Sequence, residues 1–75
     1  MERLKSPVAW YTHNIMVSLH IHGRAVEYVG PTNSSQKLIQ RARSRLRNAA
    51  DRLGVAIETH VYNEDGVSYV EGLVV

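Results

Sequence analysis

One segment constrains this chain more than any other: residues 33–54, N-S-S-Q-K-L-I-Q-R-A-R-S-R-L-R-N-A-A-D-R-L-G. Set at the helical turn angle, Leu38, Ile39, Ala42, Leu46, Ala49, Ala50 and Leu53 fall within an arc of roughly 120°, the width expected of a helix lying on a sheet. Three alanines in that arc imply a close approach to the layer beneath. Both ends carry stop signals. Asn33 suits an N-cap, with Gln36 then at the third helical position to complete a capping box. Gly54 stands where a left-handed residue ends a helix, and Val55 follows to pack back on the last turn. A helix with one apolar face this well defined needs a second layer, and the rest of the chain reads as β-structure that supplies it.

Ile15, Val17, Leu19 and Ile21 alternate with Met16, Ser18, His20 and His22, the period of a strand. Gly23-Arg24 suits a two-residue type II′ turn, which would set His22 opposite Ala25, Ile21 opposite Val26, His20 opposite Glu27 and Leu19 opposite Tyr28. Residues 8–12 read as a further short strand, joined by a turn at His13-Asn14. After Gly54, Val55, Ile57, Thr59 and Val61 alternate with Ala56, Glu58, His60 and Tyr62. Asn63-Glu64-Asp65-Gly66 then marks a turn, and residues 67–75 return as a last strand. Its register stays open, because one pairing sets Glu58 opposite Glu71 and like charges oppose each other there. The apolar end Leu73-Val74-Val75 implies a paired strand, either central in the sheet or against a second subunit. The expected fold is α+β: an antiparallel sheet of four or five strands with one long helix across one face, in the order β(β)-α-ββ. Residues 1–7 form a flexible arm in this reading, and 8–75 a single domain without repeats.

A chain of 75 residues buries only about 60% of its extended surface. Without cysteine, no disulfide or thiolate metal site makes up the difference, so a homodimer is expected. No apolar run of signal-peptide length follows Met1, and no stretch approaches a membrane span. An intracellular, cytoplasmic protein with no membrane association is expected. Asn33-Ser34-Ser35 matches a glycosylation pattern but reads here as a helix start. Arginine exceeds lysine seven to two, which hints at a GC-rich bacterial or phage genome.

The net charge of +2 hides a separation of sign. Residues 34–53 hold six cations, Lys37, Arg41, Arg43, Arg45, Arg47 and Arg52, against Asp51 alone, while the rest of the chain holds three cations against six acids. Lys37 with Arg41, Arg41 with Arg45 and Arg43 with Arg47 are like-charged neighbours four residues apart, each unfavourable by a few tenths of a kcal/mol. Three things can offset that repulsion: carboxylates of the sheet or a neighbouring subunit, a polyanion, or an acidic protein surface. Guanidinium forks match phosphate geometry, and a row of them along roughly 25–30 Å of helix can follow a nucleic-acid backbone. Gln36, Gln40, Ser44 and Asn48 lie among the cations and can reach base edges. The acidic remainder opposes this, since it repels phosphate wherever the sheet comes near.

The remaining chemistry is sparse. His20-x-His22 on a strand would project two imidazoles to one side, a spacing that serves zinc only if His60 or Glu27 closes the site. A hydrogen bond from His20 to Glu27 is the simpler expectation, so neither metal nor other cofactor is expected. No nucleophile elbow, phosphate loop, dinucleotide fingerprint or HExxH pattern occurs, and a binding role is expected rather than an enzyme. Trp10 and Tyr28 are expected in the core, with Tyr62 and Tyr69 open between core and surface. The functional expectation is a small nucleic-acid-binding or regulatory protein, DNA or RNA, with Lys37, Arg41, Ser44, Arg45, Asn48 and Arg52 as contacts. The alternative is a small inhibitor or phage-type accessory module. It would bind an acidic partner protein through the basic helix or a basic one through the acidic sheet.

Overall fold

The structure, a computed structural model, describes residues 10–75, with side chains from residue 12 onward. The proposed arm at 1–7 and the first part of the strand proposed at 8–12 lie outside the described residues. The element order is α1 (Trp10–His22), β1 (Arg24–Pro31), α2 (Gln36–Leu53), β2 (Ile57–Glu64) and β3 (Val67–Val74). The fold is α+β as expected. It has two helices and a three-stranded sheet, however, in place of one helix and four or five strands.

The correction lies before Arg24. Residues 15–22, expected as the first arm of a hairpin, are helical, and so are Trp10, Tyr11 and Thr12. The alternation of Ile15, Val17, Leu19 and Ile21 is real but secondary. Thr12, Ile15 and Leu19 are buried and Met16 packs against the core, which is the helical spacing of three and four. A short run with apolar residues on every side satisfies either period, and packing against α2 decides for the helix. Gly23 is not a hairpin turn but the stop of α1. It has φ +72°, and its N–H donates to the Leu19 carbonyl at 3.0 Å, the bond of a left-handed C-terminal cap. The outer side of α1 leaves Val17 and Ile21 exposed.

The sheet order is β1-β3-β2 with both pairings antiparallel. β1-α2-β2 is therefore a β-α-β unit split by β3, which runs between its strands in the opposite sense. The apolar C-terminal strand is central, one of the two alternatives expected for it. Asp65 and Gly66 both take positive φ, 54° and 75°. They form the type I′ turn that the Asp-Gly pair favours because its twist matches that of the flanking strands. The register it sets places Glu58 opposite Leu73 and His60 opposite Glu71, so the like-charge clash is avoided.

Both helices cover one face of the sheet. The core is Ile15 and Leu19 of α1, Ala25 of β1, Ala42, Leu46, Ala49 and Ala50 of α2, and Val70 of β3. Six of the seven residues of the expected α2 arc are buried or pack against this core, and Leu38 is the exception at 39% exposure. Close approach is achieved by alanine on one side and glycine on the other. A methyl group added at Gly72 would lie 3.2 Å from Ile57 Cδ1 and 3.5 Å from Leu46 Cδ2. Gly54 ends α2 at φ +80°, with its N–H on Asp51 O and the Val55 N–H on Ala50 O. That is the paired bonding of a Schellman motif.

The N-cap is Ser35 rather than Asn33, which leaves Gln36 as the first helical residue. Thr32 and Asn33 are used by a turn in which the Ser34 N–H and hydroxyl both donate to Pro31 O, at 2.8 and 2.6 Å. The Ser35 side chain accepts from the Leu38 N–H at 3.5 Å. Ser35→Ala is expected to lower stability by about 0.5–1 kcal/mol, whereas Asn33→Ala stays within about 0.5 kcal/mol of the parent. Urea unfolding of the two variants checks the assignment, and the reverse order would restore Asn33 as the cap.

Candidate functional site

The outward face of α2 is set by what its inward face buries. With Ala42, Leu46, Ala49 and Ala50 against the sheet and α1, the residues turned outward include Lys37, Gln40, Arg41, Ser44, Asn48, Asp51 and Arg52, and all seven are exposed, Asp51 being the one acid among them. No carboxylate lies within ion-pair distance of Lys37, Arg41, Arg47 or Arg52 among the described residues. Lys37 and Arg52 stand about 22 Å apart along the axis, at 1.5 Å per residue. The cations thus line most of one helix face.

Arg45 does not belong to this set. Its Nε donates to Glu27 Oε1 at 2.6 Å, with the two side chains 32% and 16% exposed. Glu27 sits opposite the fully buried Val70 in the β1–β3 ladder, and it is the one acid on the helix-facing side of the sheet. A carboxylate held there needs a partner, and Arg45, at the edge of the apolar arc, is long enough to reach it. The hairpin reading had matched Glu27 with His20. With residues 10–22 helical, His20 is exposed on α1 instead. A double-mutant cycle of Glu27→Ala and Arg45→Ala is expected to give a coupling of about 1–2 kcal/mol, between the values for surface and buried pairs. A coupling near zero would return Arg45 to the solvent-facing set. On the other flank, Arg43 Nε is buried without a hydrogen-bond acceptor among the described residues.

The helical form of residues 10–22 also changes the histidines. Two positions apart on a helix, His20 and His22 point to different sides. No group of three His, Cys, Asp or Glu side chains that could hold a metal ion occurs among the described residues.

The second surface is the sheet face that the helices leave open, and sequence reasoning did not bring it out. Ladder partners project to the same side. Tyr28 of β1, Tyr69 of β3 and Tyr62 of β2 therefore form one row across all three strands. Tyr69 stacks on Tyr62 with centroids 5.3 Å apart and planes at 24°, and it meets Tyr28 edge-on at 6.2 Å and 73°. Tyr28, expected in the core, is 63% exposed. Around the row lie Glu58, Glu64 and Glu71 against Arg24, whose Nε donates to Glu71 Oε2 at 2.8 Å. His60 Nε2 lies 3.7 Å from Glu58 Oε1. The signal for this surface was present as tyrosines at alternate strand positions, but it needed the three-strand register to become a row.

Charge separation in the sequence thus becomes separation in space: cations without an ion partner among the described residues on the outer side of α2, and an aromatic, acidic face on the far side of the sheet. No helix among the described residues is long and apolar enough to cross a membrane. Comparison of the chain with protein-family models, with curated proteins and with solved structures gave no match.

Proposed function

We propose that this protein binds nucleic acid through the outer face of α2, with Lys37, Arg41 and Arg52 on phosphates and Ser44 and Asn48 as neutral contacts between them. The observation that carries this reading is the set of exposed α2 cations with no carboxylate partner among the described residues. The sheet had one acid available on the helix side and gave it to Arg45. The like-charge repulsion of Lys37 with Arg41 therefore has no remedy among the described residues, and a polyanion supplies one. The acidic sheet face is on the opposite side of the domain, so it does not meet a backbone lying along α2. Arg47 at the flank is a further exposed cation within reach of a curved ligand. The test is a mobility shift of labelled duplex and single strand at low salt. Binding of either is expected, and failure of both would end this reading.

The second reading, a protein-interaction module, is favoured by the tyrosine row. Tyr62 and Tyr69 stack on each other, so each already has one ring face occupied and the row offers less open ring to stacked bases. Their exposed edges beside Glu58, Glu64 and Glu71 suit a basic protein surface. Tyr69→Ala should then weaken capture of a basic partner while leaving nucleic-acid binding intact.

A further inference from the structure

The two edges of the sheet differ in kind. On β1, the Arg24 carbonyl that faces away from β3 accepts the Ser18 hydroxyl at 2.6 Å. The strand is also interrupted by a bulge between Tyr28 and Gly30 and ends on Pro31. These are the devices by which natural sheets blunt an edge. β2 has none of them. Its eight residues, I-E-T-H-V-Y-N-E, include no proline and no lysine, and they pair with β3 in unbroken register from Ile57 to Glu64.

Which groups β2 presents follows from its turn. A two-residue I′ loop makes Glu64 and Val67 a hydrogen-bonded pair, and the alternation passes that character to Tyr62, His60 and Glu58. The Val75 N–H donating to Ala56 O at 3.1 Å continues the same alternation. The backbone groups of Ile57, Thr59, Val61 and Asn63 therefore point off the sheet. On the helix-facing side this edge is also under-covered: Val61 is 39% exposed, because the helices lie mainly over β1 and β3.

We propose that β2 pairs antiparallel with β2 of a second copy, about a two-fold axis at Thr59. Charge selects both the occupant and the register. Facing residues must project to the same side, so the axis must pass through a residue. At Thr59 it sets Glu58 against His60 of the second copy, twice by symmetry, and Ile57 against Val61 on the helix side. At Val61 it would set Glu58 against Glu64, a like-charge pair. At His60 it would set that histidine against itself and lose the carboxylate. At Tyr62 it would again pair His60 with a carboxylate, Glu64, but would set Val61 against Asn63. Among these registers the first alone is self-complementary in both charge and apolar contact, as an isologous interface requires. The two sheets become one continuous sheet with both pairs of helices on the same side. This inference is independent of what α2 binds.

Sedimentation equilibrium with amide hydrogen exchange on the full chain, at micromolar to millimolar protein, tests it. The expected species has twice the 8.5 kDa chain mass. Thr59 and Val61 amides should gain protection as concentration rises, while the His60 amide, already bonded to β3, does not change. Thr59→Pro removes an outward N–H that the monomer does not use, and it should leave the monomer alone at every concentration. Val61→Lys, at an exposed position, should do the same and decides the matter if the proline variant does not fold. A wild-type chain that is monomeric throughout, with those amides exchanging freely, overturns the proposal. So does a dimer that persists in a folded edge variant.

Discussion

Replacing Leu46 by alanine is expected to remove about 3–5 kcal/mol of stability, the upper part of the range for truncating a buried leucine. Leu46 is fully buried, and its methyl groups face the backbone at Gly72. Its buried neighbours on α2 are Ala42, Ala49 and Ala50, which have no length with which to fill a void, so the cavity term is kept rather than relaxed away. A domain of this size is stable by roughly 4–11 kcal/mol at the usual value per residue. The variant is therefore expected to lose a large share of its stability and to unfold at far lower urea. Leu38→Ala, at 39% exposure, should cost less than about 1 kcal/mol. Equal losses at the two positions would mean that α2 sits on the sheet in another rotation, and with it the assignment of its outer face would fail.

That outer face carries the second large effect. Arg41→Glu with Arg52→Glu is expected to weaken nucleic-acid binding on the order of 100-fold at low salt, because two phosphate contacts become repulsions. Both side chains are exposed and without ion partners among the described residues, so stability should change by no more than about 0.5 kcal/mol. Arg45→Glu gives the contrast. It sets a second carboxylate beside Glu27 and should damage the fold before it reports on binding. Equal binding by the parent and the Arg41/Arg52 variant would move the interface off α2.

The sequence told more about α2 than about what precedes it, and the reasons are physical. An arc of seven apolar residues, one flank of cations and a terminal glycine all describe the same helix, so local and tertiary preferences agree. The Asp-Gly turn and the strand after it were legible for the same reason. Residues 10–22 were not, because a helix with apolar side chains on every side carries no clear period, and its burial depends on α2 lying beside it. Asn33 and Ser35 are both good caps, and only the turn at Pro31 selects between them. Arg45 looked like its neighbours until Glu27 took its place on the helix side of β1. The tyrosine row combines three strands that are distant in the chain, and no local pattern encodes their order.

The central claim is that the α2 cations without an ion partner among the described residues meet phosphate, and the salt dependence of binding tests it most directly. For Lys37, Arg41 and Arg52, with Arg47 at the edge, the slope of log K against log salt on duplex DNA should be about −3 to −4, at roughly 0.9 per phosphate neutralised. It should fall by about 2 when Arg41 and Arg52 are reversed to glutamate. A slope near zero, or no binding to duplex or single strand at low salt, would contradict the account.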